Sequence, residues 1–358
     1  MPTEQAMICV CGRCNHKWLP KSVLPARCAK CKSPVWNRTP KKPGRPLKGK
    51  PVNPLLWYLE AKAFQKPLDA LAETIALKVQ REGPKHSVKP IFVIPDIYYL
   101  LRHAHQTYNL FCFVNADERR RRDAGYRIAY SVVILPLVRT MIDCLYNITA
   151  ILNNPGPRGY QFRESGLKQI LRAVDADERR YGGNPTWDDS IARYRQFIDV
   201  NMRGTGITED DVRTADLWPT LGQYLRPKKN MDLTAHQRFL KELTFGFWQE
   251  YSGISHATFQ GLGPIAAFLA PKDLPFEVQP LLEDKMELVI ALHVSRAAGI
   301  LLCALTEVQA HFRFDSDHSA RINQRIHQVW NALLPAPEIK HLYDERYAKL
   351  MSDKGILP

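Results

Sequence analysis

Two Cys-x-x-Cys pairs, Cys11–Cys14 and Cys28–Cys31, stand thirteen residues apart near the start of the chain. Nothing else in the sequence restricts the local fold so tightly. Each pair offers two thiolates that converge from one tight turn, and four of them make the tetrahedral soft set that zinc takes. Gly12 and the small Ala29 suit those turns. A segment this short cannot fold on apolar burial alone, so the metal would supply most of its folding energy. Trp18 follows the first pair by four residues and Trp36 the second by five, and both indoles are placed to cover the metal site. Cys9 is a surplus thiol and His16 another candidate ligand, though for both the expectation is no metal role. The expectation is a small zinc ribbon with short strands, residues 1–38, holding one structural Zn2+ through Cys11, Cys14, Cys28 and Cys31.

The chain has eight cysteines, and Cys112, Cys144 and Cys303 lie within apolar segments, where they read as small core residues. The start lacks a basic region followed by an apolar one, and the longest mostly apolar run, Ile128–Val138, is too short to span a bilayer. A soluble, cytoplasmic protein with no membrane partner is expected.

Charge is distributed unevenly. The 358 residues carry 50 Lys and Arg against 36 Asp and Glu, a net +14. Residues 1–50 hold eight Lys and four Arg against the single acid Glu4, a net +11, whereas the other 308 residues carry only +3. A polyanionic partner would be met at the N-terminus, by Arg13, Lys17, Lys21, Arg27, Lys30, Lys32, Arg38, Lys41, Lys42, Arg45, Lys48 and Lys50. Residues 39–54 contain five prolines and no acid, the composition of an extended basic linker.

The segment C-G-R-C-N-H-K-W-L-P with P-A-R-C-A-K-C-K-S-P-V-W resembles the short zinc ribbons attached to prokaryotic nucleic-acid proteins. That resemblance covers about forty residues and implies fold and zinc, not a particular partner. Pro43-Gly44-Arg45-Pro46 resembles the Gly-Arg-Pro centre of an AT-hook, in which an extended backbone lies in a narrow A·T minor groove and arginine reaches along its floor. It departs from that motif at Pro43, where the AT-hook has an arginine; Lys41, Lys42, Lys48 and Lys50 remain as phosphate contacts.

From residue 55 to 358 the hydrophobic pattern is helical, with little strict alternation, and no internal repeat. The fold class is mainly α: a large all-α domain of about nine helices behind the small ribbon. Leu56, Leu59, Ala63 and Phe64 mark a short helix broken before Pro67, and Leu68, Leu71 or Ala72, Ile75 and Val79 mark the next. Longer helices are expected over Ile97–Val114, Asp117–Leu152 with a kink near Pro136, Arg163–Tyr181, Trp187–Met202, Ala235–Ser255, Glu277–Phe312, Ser319–Leu333 and Glu338–Met351. Residues 204–233 and 260–276, rich in Gly, Pro and Asp, read as loops.

Two features of this domain bear chemistry. Arg139 and Asp143 lie one turn apart in I-L-P-L-V-R-T-M-I-D-C-L; charges in so apolar a helix either satisfy each other or line a pocket. In Tyr251-Ser252-Gly253-Ile254-Ser255-His256, hydroxyls and an imidazole meet at a helix end. There His256 and Ser255 serve either to cap the helix or to carry a proton. The pair of features, spread over about residues 95–310, resembles an uncharacterised family of bacterial all-helical proteins, which implies a helical fold and a shared pocket. In that family the acid is usually Glu, and here it is Asp143.

The HEPN helical ribonucleases carry Arg-x4–6-His at a dimer interface, and Arg313…His318, Arg321…His327 and Arg81…His86 resemble it. Composition alone yields roughly three such pairs in a chain like this, so the spacing by itself carries no weight. Arg313 is moreover followed by Phe314, where those enzymes usually have a polar residue. Phosphate-loop, nucleophile-elbow, His-Glu-x-x-His and dinucleotide-binding motifs are missing from the sequence. His103 and His105, two apart on a helix, point to different faces and make a poor metal pair; Glu283, Asp284 and Glu287 read as a solvated helix start, and Arg119–Arg122 as a helix face that is solvated or touches phosphate. The leading expectation is a DNA-binding protein whose helical domain forms a homodimer or binds a partner. A metal-independent ribonuclease acting on RNA, and a protein-binding ribbon on a helical scaffold, are the alternatives.

Overall fold

The computed structural model describes residues 9–10, 17–18, 54–86, 88–116, 133–226, 233–266, 279–314 and 317–356. The chain divides into two units, Met1–Leu56 and Trp57–Pro358.

In the first unit, strand β1 (Cys9–Val10) pairs antiparallel with β2 (Lys17–Trp18), Cys9 opposite Trp18 and Val10 opposite Lys17. The expected zinc ligands Cys11, Cys14, Cys28 and Cys31 lie outside the described residues, as do Gly44, Arg45 and every expected basic contact except the backbone of Lys17.

In the described part of the second unit the regular structure is all helix, with no strand. Helix α1 (Pro54–Glu82) runs unbroken through Pro67, against the expected interruption. Pro67 falls on the exposed side, where losing one backbone hydrogen bond costs least, while Leu68, Leu71, Ala72, Ile75 and Val79 are fully buried one face away. Helix α2 (Val93–Ala116) follows. Pro136 opens α3 (Pro136–Asn153), since proline fits the first turn, where no backbone donor is needed; residues 117–132 of the expected longer helix lie outside the described residues. Likewise α4 (Pro155–Tyr181) and α5 (Pro185–Thr205) each begin on a proline, earlier than the apolar pattern suggested.

Residues 204–233 are not a plain loop. They hold α6 (Glu209–Thr214) and α7 (Leu221–Tyr224), each opened by a Thr capping box, at Thr208 with Asp211 and at Thr220 with Gln223. A third box, Thr234 with Gln237, opens α8 (Ala235–Leu243), which passes through a π turn (Thr244–Trp248) into α9 (Gln249–Ser255). The short α10 (Phe259–Leu262) lies in the second expected loop. Then come α11 (Gln279–Phe312), α12 (Asp317–Leu333), α13 (Pro337–Leu342) and, after a π turn (Tyr343–Tyr347), α14 (Ala348–Asp353).

Helices α2, α3 and α11 form the centre. Every residue of α11 from His293 to Ala310 is buried, so this helix is enclosed all round, and its polar side chains must find partners. Tyr251 meets His293 at 2.6 Å, Arg296 bonds Glu250 at 2.8 Å, and Glu307 accepts from Arg346. These contacts tie α9 and the C-terminal helices to the core. Helices α4 and α5 form a hairpin with its own small core, Leu167, Leu171, Val174, Ile191, Ile198, Ile207 and Val212. Cys112, Cys144 and Cys303 are buried free thiols, and burial pushes Cys112 and Cys144 up to about 12. No helix among the described residues is long and apolar enough to cross a membrane.

Candidate functional site: an Arg–Asp–Trp–His cluster

Arg139 and Asp143 occupy successive turns at the start of α3, and His256 sits where α9 ends. The fold brings them together. Arg139 Nη1 lies 2.9 Å from His256 Nε2, its Nε lies 3.8 Å from Asp143 Oδ2, and its guanidinium carbon lies 5.3 Å from the ring centre of Trp248. Trp248 Nε1 in turn donates to Asp143 Oδ1 at 3.2 Å. A guanidinium has donors only, so Nε2 is the acceptor in the first contact, and the imidazole holds its proton on Nδ1.

The elbow between α9 and α10 fixes His256. Its amide bonds back to the Ser252 carbonyl, and the Thr258 amide to the Gly253 carbonyl. Thr258 Oγ1 caps α10 by accepting from the Gly261 amide at 3.2 Å. The two backbones cross at Gly253 and Gly261: a Cβ on Gly261 would lie 2.1 Å from the Gly253 carbonyl carbon. Ala257, next to His256, is held at φ +51°, a conformation unfavourable for a residue with a Cβ. One turn earlier Tyr251 is fully buried against His293, which anchors the end of α9.

Burial raises the Asp143 carboxyl above its ordinary value, and the Trp248 hydrogen bond and the Arg139 charge only partly offset this. The cluster therefore contains a fixed cation, a carboxyl whose pKa burial raises and an exposed imidazole whose Nε2 is engaged by Arg139. Such a set can hold an oxyanion and move a proton.

The other sequence candidates do not converge. Among the described contacts none joins half-buried Ser255 to the cluster. Arg313 is exposed at φ +46° just past α11, and the His318 side chain lies outside the described residues. His86 packs edge-on against Phe312 and Phe314, with ring centres 5.9 and 5.4 Å away. Sequence reasoning missed Trp248, whose role depends on an acceptor far away in the chain.

A cleft of about 450 Å3 lies elsewhere, lined by Phe92, Tyr98, Tyr99, Arg163 and Asn201 among others. Its one cation, half-buried, is already engaged, since Arg163 binds Asp96 at 2.5 Å. Among the described residues no group of three His, Cys, Asp or Glu is placed to hold a metal. No protein-family model, curated protein or solved structure matches the chain.

Proposed function

We propose that the protein is a zinc-dependent nucleic-acid-binding protein, with DNA as its first partner. The ribbon and residues 39–54 contact phosphates, and Arg45 gives an A·T preference. The observation that carries this reading is the concentration of a net +11 within residues 1–50 of a chain whose remainder is near balance. The pairing of Cys9–Val10 with Lys17–Trp18 supports it, because it closes at both ends the segment bearing Cys11 and Cys14. Fluorescence anisotropy on the zinc-loaded full chain tests it, with A·T-rich duplex, G·C-rich duplex and single-stranded RNA at two salt concentrations. Duplex affinity falling steeply with salt, and an A·T preference lost in Arg45→Ala, are expected. Absence of binding to all three at moderate salt overturns it and leaves the ribbon as a protein-binding module.

The Arg139–His256 contact favours a second reading, a metal-independent ribonuclease. With Arg139 turned from His256 onto the phosphoryl oxygens, His256 Nε2 would take the proton of an RNA 2′-hydroxyl as O2′ bonds to the adjacent phosphorus and the P–O5′ bond breaks. Water would return a proton to O5′, and Arg139 would offset charge on the phosphoryl oxygens. The products are a 2′,3′-cyclic phosphate and a 5′-hydroxyl. Cleavage in the presence of a metal chelator, abolished in His256→Ala, would establish it; cleavage that survives that substitution sinks it.

A further inference from the structure

Beyond the ribbon and tail, we propose that the α9–α10 elbow is a separate subsite for one unpaired nucleotide. Arg139 and His256 meet the phosphate, and Phe259 stacks on the base. This rests on the nucleic-acid reading above but assigns a different part of the chain.

Phe259 is 92% exposed, the highest value among the large apolar side chains described. Single exposed apolar residues are common on protein surfaces, but this one stands on a backbone with little freedom to withdraw it. The Gly253–Gly261 crossing and the Thr258 cap fix the elbow, and Ala257 is held strained between His256 and Thr258. Strain of this kind persists where the surroundings over-determine a conformation, and it concentrates at binding sites. Phe259 follows His256 by three residues, a span of at most about 10 Å, the scale of one nucleotide. Phe245, 60% exposed with the Lys241 ammonium 5.9 Å from its ring centre, stands on the same π turn as Trp248.

Electrostatics decides the ligand class. The Arg139 charge is largely matched by Asp143 at 3.8 Å, so bare phosphate gains little here. A ligand that adds an apolar aromatic face gains the stacking as well. A base within a duplex has both faces covered, which selects single-stranded nucleic acid.

The test uses the zinc-loaded full chain and a fluorescein-labelled oligouridylate carrying one photoreactive 4-thiouridine, at moderate salt. Because Phe259 makes almost no packing contact, Phe259→Ala keeps the fold. It is expected to weaken single-strand binding roughly tenfold while leaving duplex binding unchanged, and Phe259→Trp is expected to restore it. Cross-links should map to the elbow, and Arg139→Gln should weaken binding further. Wild-type affinity in Phe259→Ala, or cross-links confined to residues 1–54, overturns the subsite and leaves the nucleic-acid reading standing. No binding of any nucleic acid by the wild type overturns both.

Discussion

Arg139 donates from Nη1 to Nε2 of His256 at 2.9 Å across 117 residues of chain, joining the first turns of α3 to the end of α9. A neutral histidine exchanges between both tautomers in water, whereas this contact requires the proton on Nδ1. Long-range nitrogen–proton NMR of the imidazole should show the Nδ1–H form for His256 in the wild type. In Arg139→Ala the ring should relax toward a mixture. The same tautomer population in both proteins would mean that the contact does not control the ring.

Asp143 and Asp69 should respond to pH with opposite signs. Burial raises Asp143, so its folded carboxyl holds its proton more tightly than the unfolded one, and its contribution to stability falls as pH rises through the carboxylate range. Burial also works against Asp69, but hydrogen bonds from Asn109 at 2.8 Å and His105 at 2.6 Å outweigh it, and its pKa is lowered. Its contribution is present at neutral pH and is lost on acidification. Relative to wild type, Asp143→Asn should therefore gain melting temperature as pH rises above the ordinary carboxylate value of 3.8, and Asp69→Asn should lose it as pH rises toward that value from below. Parallel trends for the two variants in thermal scans would refute this assignment.

The Glu307–Arg346 pair predicts a large asymmetry between single and double substitutions. The Glu307 side chain is fully buried on α11, with Arg346 Nη2 at 2.9 Å and a second bond from Arg346 Nε. Burial opposes its ionisation, and the Arg346 charge and hydrogen bonds overcome that. Arg346→Met strands a buried carboxylate and should cost about 3–5 kcal/mol in urea denaturation. Replacing both residues with Met should cost much less, because no charge is left without a partner. Equal losses in the single and double variants would show that packing, not charge, governs the site.

The residues of the candidate site were legible one by one, but their meeting was not. Arg139 and Asp143 stood out because charges in an apolar helix need partners, and Tyr251–His256 because hydroxyls and an imidazole crowd a helix end. Neither pattern carries information about a contact 117 residues away. Trp248 gave no signal of its own, since an indole in an amphipathic helix reads as core until its N–H is seen to meet a carboxylate. Helix identity was readable from apolar spacing, and the errors came from proline. Pro67 was read as a break, whereas its exposure on α1 excuses it, and Pro136 takes the first-turn position of α3 that proline fits. The helices within residues 204–233 were signalled by Thr208-x-x-Asp211 and Thr220-x-x-Gln223, capping boxes outweighed by the surrounding Gly, Pro and Asp.

Metal removal should separate the two units. Each chain is expected to carry a single zinc ion, lost in Cys28→Ser/Cys31→Ser. The helical unit Trp57–Pro358 has its own extensive core, so its far-UV helical signal should survive both that change and a chelator. Elemental analysis and circular dichroism check this. Unchanged zinc in the variant would remove Cys28 and Cys31 as ligands, and collapse of the helical signal on chelation would show that the metal supports the larger unit.

Two substitutions at the elbow should act in opposite directions on stability yet in the same direction on the site. Gly261→Ala drives a methyl to within 2.1 Å of the Gly253 backbone, where no side chain can yield, and overpacking of this kind costs about 1–3 kcal/mol. Ala257→Gly relieves a residue held at φ +51° and should stabilise the fold by up to about 1 kcal/mol, less whatever freedom glycine adds to the unfolded chain. Both changes loosen the backbone that carries His256, so both should shift its imidazole away from the Nδ1–H tautomer imposed by Arg139. Thermal denaturation and the imidazole NMR measurement, made on the same samples, distinguish the two effects. If Ala257→Gly stabilises the protein and leaves the tautomer untouched, the strain at Ala257 has no part in aiming His256.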